Sequence, residues 1–262
     1  MLNLAIEIIM KNRKSFILFF FIILSFIISC KKETEKFPSS TLQEYFPLTT
    51  GSVFYYRLDS IVIAPFGTAL ITKYYEAKDS IESDFLDNAN RRSFRIFRFI
   101  RDTLATQPWR FAATYVATAD TSKKQLEFVD NNFRFIKLKL PTTEFFTWKG
   151  NSFIDTKSIN STVQYLDDWN YEYKNVGSNY TVKNKMYSNT ITVAQNDETN
   201  PSGAFNPSSF QTRNFGEEVY AKGIGLVYKN FLHWTWQTTP PPAKYEDGSY
   251  GIKLQLIHHT LK

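Results

Sequence analysis

Apolar and polar residues alternate along most of this chain, the period-two mark of strands with one buried face. Over residues 52–63, Phe54, Tyr56, Leu58 and Val62 share one face, and Arg57 and Asp59 take the other. Ala64-Pro65-Phe66-Gly67 interrupts the pattern and residues 69–77 resume it. Residues 78–90 fit a short helix, with Ile81 and Phe85 four apart, or a loop. Residues 93–104 return to strand. There Phe94 and Ile96 hold one parity and Phe97 and Phe99 the other, so the strand is buried on both faces or bulged. A further strand spans 111–118. Strands over 125–129 and 133–140 flank Asp130-Asn131-Asn132, a hairpin turn of residues that tolerate positive φ.

Further along, short elements are expected at 145–148 (strand) and 161–168 (helical turn). Residues 171–176 and 180–183 read as a hairpin around Gly177-Ser178-Asn179, followed by a strand over 186–195. Residues 197–213, rich in Asn, Pro, Ser and Gly, read as a long loop. Strands over 215–221, 226–236 and 250–261 close the chain, with Tyr250, Ile252, Leu254, Leu256 and His258 expected on one face. Thr238-Thr239-Pro240-Pro241-Pro242 is a stiff connector before the last strand. Thr41-Leu42-Gln43-Glu44 fits a capping box ahead of Pro47. The pattern therefore predicts an all-β domain with short helical turns.

One stretch breaks the alternation. Residues 16–28 form an apolar run of 13 residues behind Lys11-Asn12-Arg13-Lys14. A membrane-spanning helix needs roughly 18 or more apolar residues, whereas the apolar region of a signal peptide holds about 7–15. The run ends in Ile27-Ile28-Ser29-Cys30, which resembles the lipobox of bacterial lipoproteins. That resemblance implies diacylglyceryl transfer to the Cys30 thiol and cleavage before it. Residues 1–29 are then a signal peptide, 30–40 the lipidated cysteine and a flexible polar tether, and 41–262 a single β-rich domain. The tether's Lys31-Lys32-Glu33-Thr34-Glu35-Lys36 also loosely resembles export signals of surface lipoproteins.

Cys30 is the only cysteine. Once lipidated it leaves no thiol for disulfides, nucleophilic catalysis or metal binding. The chain carries 31 basic and 25 acidic residues. Removing Lys11, Arg13, Lys14 and Glu7 leaves 28 against 24, or +4, too modest and too mixed to suggest a nucleic-acid partner. Arg91, Arg92, Arg95, Arg98 and Arg101 form the one basic concentration, a solvated strand face or an anion site.

Two stretches, Tyr45-Phe46-Pro47-Leu48-Thr49-Thr50-Gly51-Ser52-Val53-Phe54-Tyr55-Tyr56 and Val219-Tyr220-Ala221-Lys222-Gly223-Ile224-Gly225-Leu226-Val227-Tyr228, are together similar to uncharacterised exported lipoproteins of the Bacteroidota. The resemblance implies a curved antiparallel sheet, half-barrel or barrel-like, in an envelope lipoprotein facing the periplasm or the cell surface. It brings no activity, cofactor or site residues with it.

The sequence holds neither Gly-x-Ser-x-Gly nor His-Glu-x-x-His. Its histidines are His233, His258 and His259. Neighbours such as His258-His259, Asp167-Asp168 and Glu217-Glu218 point to opposite sides of a strand, so none is a ready metal site or acid–base pair. A carboxylate pair drawn from separate strands stays open. Trp234 and Trp236 share a strand face and could stack on sugar rings or pack on the last strand. Asp59-Ser60-Ile61, Asp79-Ser80-Ile81 and Asp102-Thr103-Leu104 resemble the O-glycosylation triplet of Bacteroidota exported proteins, at Ser60, Ser80 and Thr103, or are turn chemistry. The expected role is binding or structural at the envelope, with membrane lipid, a glycan or an envelope protein as partners. The competing classes are a carbohydrate-active hydrolase, which needs converging carboxylates in a concave site, and an acyl-chain carrier, which needs an apolar cavity.

Overall fold

The computed structural model describes residues 42–262, which fall in one compact unit; Cys30 and the segments around it lie outside the described residues. A helical turn, α1 (Leu42–Tyr45), precedes thirteen strands. These are β1 (Val53–Ile63), β2 (Leu70–Leu86), β3 (Arg92–Asp102), β4 (Arg110–Asp120), β5 (Gln125–Asp130) and β6 (Phe133–Lys139) in the first half. The second half holds β7 (Thr147–Trp148), β8 (Tyr171–Val182), β9 (Lys185–Asn200), β10 (Gln211–Ala221), β11 (Gly225–Gln237), β12 (Lys244–Tyr245) and β13 (Tyr250–Thr260). All belong to one antiparallel sheet, ordered β6-β5-β4-β3-β2-β1-β13-β11-β10-β9-β8-β7, with β12 beside β11.

The sheet curls into a nearly closed barrel. Its two terminal strands meet at a seam, where the Ile136 amide donates to the Gly150 carbonyl at 2.8 Å and Trp148 Nε1 donates to the Ile136 carbonyl at 2.8 Å. Gly150 is required there, because a Cβ would stand 2.3 Å from the Tyr171 ring. Bulges that offset the register at Gly216/Glu217, Val219/Tyr220, Tyr55/Tyr56 and Ile81/Ser83 supply the bending.

Because strands alternate in direction, the connections sort to two ends. The chain enters at one end, where Glu44 accepts the Gly223 amide at 2.6 Å through its carbonyl and pairs with Lys222 at 3.1 Å. Phe46 packs there between Phe128 and Tyr220. The chain also finishes there, with the Lys262 amide donating to Ser52 Oγ at 3.2 Å. At the far end the β7–β8 connection folds over the interior, stacking Tyr165 on His233 at 3.7 Å and Trp169 against Phe231.

The interior holds two apolar clusters, one around Phe54, Tyr56, Ile81, Ile96 and Leu254, the other around Leu138, Trp148, Tyr171, Tyr173 and Ile191. Between them lies a charged band. Lys137 on β6 meets Glu218 on β10 at 2.6 Å, Tyr220 donates to the same carboxylate at 2.6 Å, and Arg98 grips Asp79 through two 2.6 Å bonds. Residual cavities of about 60 and 70 Å³ flank this band.

Four expectations are corrected. Residues 78–86 continue β2 as strand, because Lys78 to Leu86 pair along β3. Gly177-Ser178-Asn179 is not a hairpin: β8 runs through it with shifted register, Asn175 and Gly177 taking φ of 54° and 76°. The reversal falls instead at Lys183-Asn184, between paired Val182 and Lys185. The long loop shrinks to residues 201–210, since β9 and β10 pair out to Asn200 and Thr212. Finally, His258 leaves the face of Leu256. The bulge at Ile257 sets Leu256 opposite inward Tyr56 and His258 opposite outward Tyr55, on which its ring stacks.

Candidate functional site

The candidate site is a groove of about 620 Å³ on the outer wall, across the far halves of β8, β9 and β10. That volume lies within the roughly 300–1,000 Å³ of small-molecule sites. Three in-register residues make its centre. Glu172 on β8 and Glu217 on β10 both lie directly opposite Ala194 on the intervening β9, so all three share a face. The alanine leaves a depression between two carboxylates.

The sequence builds this face through strand parity. Tyr171 and Tyr173 turn inward and are buried, which turns Glu172 outward. Glu218 is buried in the charged band, which turns Glu217 outward. A bulge then separates Asn196, opposite Gly216, from Ala194, opposite Glu217, leaving Gln195 as the extra residue. Its side chain lies against Gly216, where a Cβ would come within 2.7 Å of Oε1. The Gln195 side chain turns to the interior beside Trp169, is 4% exposed, and its Nε2 donor has no partner.

Asn170, Asn196, Trp169 and Phe215 complete the inner lining, and Asp167, Asp168, Asp197 and Glu198 the rim. Most rim charges are tied down: Asp168 by Lys149, Asp167 by Lys157 at 2.5 Å, and Asp197 by Arg213 at 2.6 Å. Glu172 pairs with Lys174 at 3.3 Å. Glu217 forms neither a salt bridge nor a side-chain hydrogen bond among the described residues. Burial raises its pKa above the usual carboxylate value, against the pull of Lys174 and with help from Asp197.

The residues singled out from sequence fall elsewhere. Trp234 and Trp236 lie on the outer face, because the inward positions of β11 are Lys229, Phe231 and His233. They sit beneath Phe205 and Tyr245, with ring centroids 4.9–5.8 Å apart, and Trp236 donates to the Pro207 carbonyl at 3.0 Å. Trp236 is buried and Trp234 half-buried. Ser60 and Ser80 are half-buried within paired strands, and Thr103 is exposed in the turn after β3. The aspartates of the three triplets have structural partners: Asp59 binds Arg57, Asp79 binds Arg98, and Asp102 accepts the amides of Leu104, Thr106 and Gln107. Arg91, Arg92, Arg98 and Arg101 are each paired with a carboxylate.

Glu217 was visible in the sequence only as half of a diverging pair, and Glu172 and Gln195 gave no signal. Their meeting depends on strand order and on one bulge, neither of which local pattern encodes.

A second groove, of about 880 Å³, runs between Phe66, Ile71 and Pro240-Pro241-Pro242. It is mainly apolar, and nothing in the structure shows what covers it. Among the described residues no group of three His, Cys, Asp or Glu side chains could hold a metal ion. No helix among them is long and apolar enough to cross a membrane, which does not bear on lipid anchoring. What fold and site define is an all-β barrel with an external polar groove. No family model, curated protein or solved structure matches the chain.

Proposed function

We propose that this chain is an exported, lipid-anchored envelope protein whose barrel binds glycans in the β8–β10 groove. The observation that carries the binding reading is the lining of that groove. Carboxylates offer acceptors to sugar hydroxyls, while the side chains of Asn170 and Asn196 offer donors. Phe215 adds apolar ring surface. The acidic rim favours neutral or amino sugars over anionic polysaccharides.

The anchoring half rests on Ile27-Ile28-Ser29-Cys30 and is supported by topology: Leu42 enters the barrel at one end and the groove opens toward the other. A tether from Cys30 would hold the groove away from the bilayer. An acyl-chain carrier is less well supported, because the internal cavities of about 60 and 70 Å³ are small and lined by charge.

Two measurements test the two halves separately. Mass spectrometry of the protein from native membranes is expected to find Cys30 diacylglycerylated at a new N-terminus, and Cys30→Ala to abolish membrane retention; an unmodified, uncleaved chain would overturn the anchor. Calorimetry of the detergent-purified protein against cello-, xylo-, manno- and chitohexaose is expected to show binding to at least one, weakened about tenfold or more by Glu217→Ala. No binding to any of the four would overturn the glycan reading.

A further inference from the structure

We infer that the barrel interior is a second binding site, for a small zwitterion of the α-amino-acid class, held between Asp130 and Lys229 beneath the β7–β8 connection. It is separate from the outer groove and does not rest on the glycan reading.

The inference starts from the charges that line the two internal cavities. These are Arg98, Lys137 and Lys229 against Asp79, Glu218 and Asp130. Asp79 satisfies Arg98, and Glu218 satisfies Lys137. Lys229 and Asp130 are left over. The Lys229 ammonium reaches Glu218 only at 3.7 Å and makes no side-chain hydrogen bond among the described residues. Asp130 makes neither a salt bridge nor a side-chain hydrogen bond among them. Burial and the neighbouring Lys137 lower the Lys229 pKa, against the pull of Glu218 and Asp130, so a further anion there would stabilise the ammonium.

Both groups face the cavity of about 70 Å³. An unpaired charge in a low-dielectric interior is costly, and a ligand that meets both at once relieves two. The lining charges already balance. A lone carboxylate or a lone ammonium would upset that balance, whereas a zwitterion keeps it, with its carboxylate on Lys229 and its ammonium on Asp130. The independent sign of a ligand is Gln195, which lines the same cavity, is 4% exposed, and has an Nε2 without an acceptor. A carboxylate beside Lys229 would supply one.

The rest of the wall is mainly apolar, built from Phe128, Phe135, Trp169, Phe231 and Ile252. An ordered water wants roughly two to four polar partners, which such a wall does not give to a full complement of waters. A small apolar side chain suits it better. A single water needs about 10–15 Å³ of this space, so the cavities of about 60 and 70 Å³ each take roughly four to seven atoms of that size, the scale of glycine, alanine or proline. Leu166 and Trp169 of the β7–β8 connection are the only part of the wall of the 70 Å³ cavity outside the strands. Entry therefore falls to that segment, which Tyr165 fastens by its stack on His233 and by a 3.2 Å bond to the Tyr250 hydroxyl.

The test is calorimetry of the detergent-purified protein against glycine, L-alanine, L-proline and L-valine, with propionate and propylamine as single-charge controls. At least one amino acid is expected to bind, and both controls to bind about tenfold or more weakly than it does. Lys229→Met and Asp130→Asn, first shown to unfold cooperatively, should each weaken that binding by about tenfold or more. Asp130→Asn keeps the shape of the side chain and decides the matter should Lys229→Met fail to fold. No binding of any of the four amino acids would overturn the inference. Undiminished binding in Asp130→Asn would overturn it too, as would propionate or propylamine binding as tightly as the amino acid.

Discussion

The Tyr173 hydroxyl closes the barrel seam onto Lys139. It accepts the Lys139 amide at 2.8 Å and donates to the Lys139 carbonyl at 2.9 Å, so a side chain from β8 stands in for a neighbouring strand at the free edge of β6. An open edge would leave those backbone groups unpaired in a mostly buried setting.

Tyr173→Phe keeps the ring and removes both bonds. We expect a loss of about 1–3 kcal/mol, since two buried backbone groups lose their partner. Urea unfolding should show a lower midpoint at unchanged slope. An unchanged midpoint would mean that water replaces the hydroxyl without cost.

The Lys137–Glu218 pair ties β6 to β10 across the interior, with Tyr220 holding the second carboxylate oxygen. Lys137→Met leaves the buried Glu218 carboxylate only the Lys229 ammonium, at 3.7 Å, and should cost about 3–5 kcal/mol. Combining it with Glu218→Leu should recover part of that loss, because no buried carboxylate remains, while the Lys229 ammonium loses its counter-charge. A double-mutant cycle with no coupling would contradict the cross-barrel contact.

Acid should destabilise the fold in two stages. Burial lowers the His233 pKa to about 4, so between about 6.5 and 4 the unfolded state takes a proton that the folded state refuses. Burial pushes Glu218 up, but the Lys137 and Lys229 ammonium groups and the hydrogen bonds from Lys137 and Tyr220 outweigh it and hold its pKa at about 2. Its contribution is present above about 4.5 and is lost as pH falls from there toward 2. Stability should therefore decline from pH 6.5 downward. His233→Phe, which keeps the stack on Tyr165, should flatten the upper stage, worth on the order of 2–3 kcal/mol. A slope unaltered by that substitution would assign the upper stage to another group.

Phe66 occupies the left-handed region at φ 64°, yet its ring is 93% exposed. Bulky residues pay about 1–2 kcal/mol there, and asparagine pays less. Phe66→Asn should raise the stability of the isolated protein by about 0.5–1 kcal/mol, a gain in melting temperature of roughly 1–4 °C. A loss would show that the ring makes contacts worth more than the strain.

Much of the fold was legible from local pattern. The alternation of Phe54, Tyr56 and Leu58 gave the inward face of β1, and Asn131-Asn132, with φ of 49° and 64°, made the β5–β6 turn. The Gln164–Leu166 turn and the strand at Thr147–Trp148 also appeared where expected. The two-faced reading of β3 holds as well: Phe94 and Ile96 are buried inside, while Phe97 and Phe99 pack on Phe111 outside. Two of the failures share one physical origin. A bulge shifts parity by one residue without altering composition, so local pattern assigns His258 to the wrong face and sees a reversal around Gly177. The groove was illegible for the same reason, because Glu172, Ala194 and Glu217 become neighbours only through strand order.

The beginning and end of the described fold are neighbours, Lys262 packing on Gly51 and Ser52. A short link between them would close the polypeptide into a ring, and new ends cut in the exposed 201–210 loop would move the termini to the opposite end of the barrel. Such a circular permutant would carry its termini beside the groove while leaving every strand pairing intact.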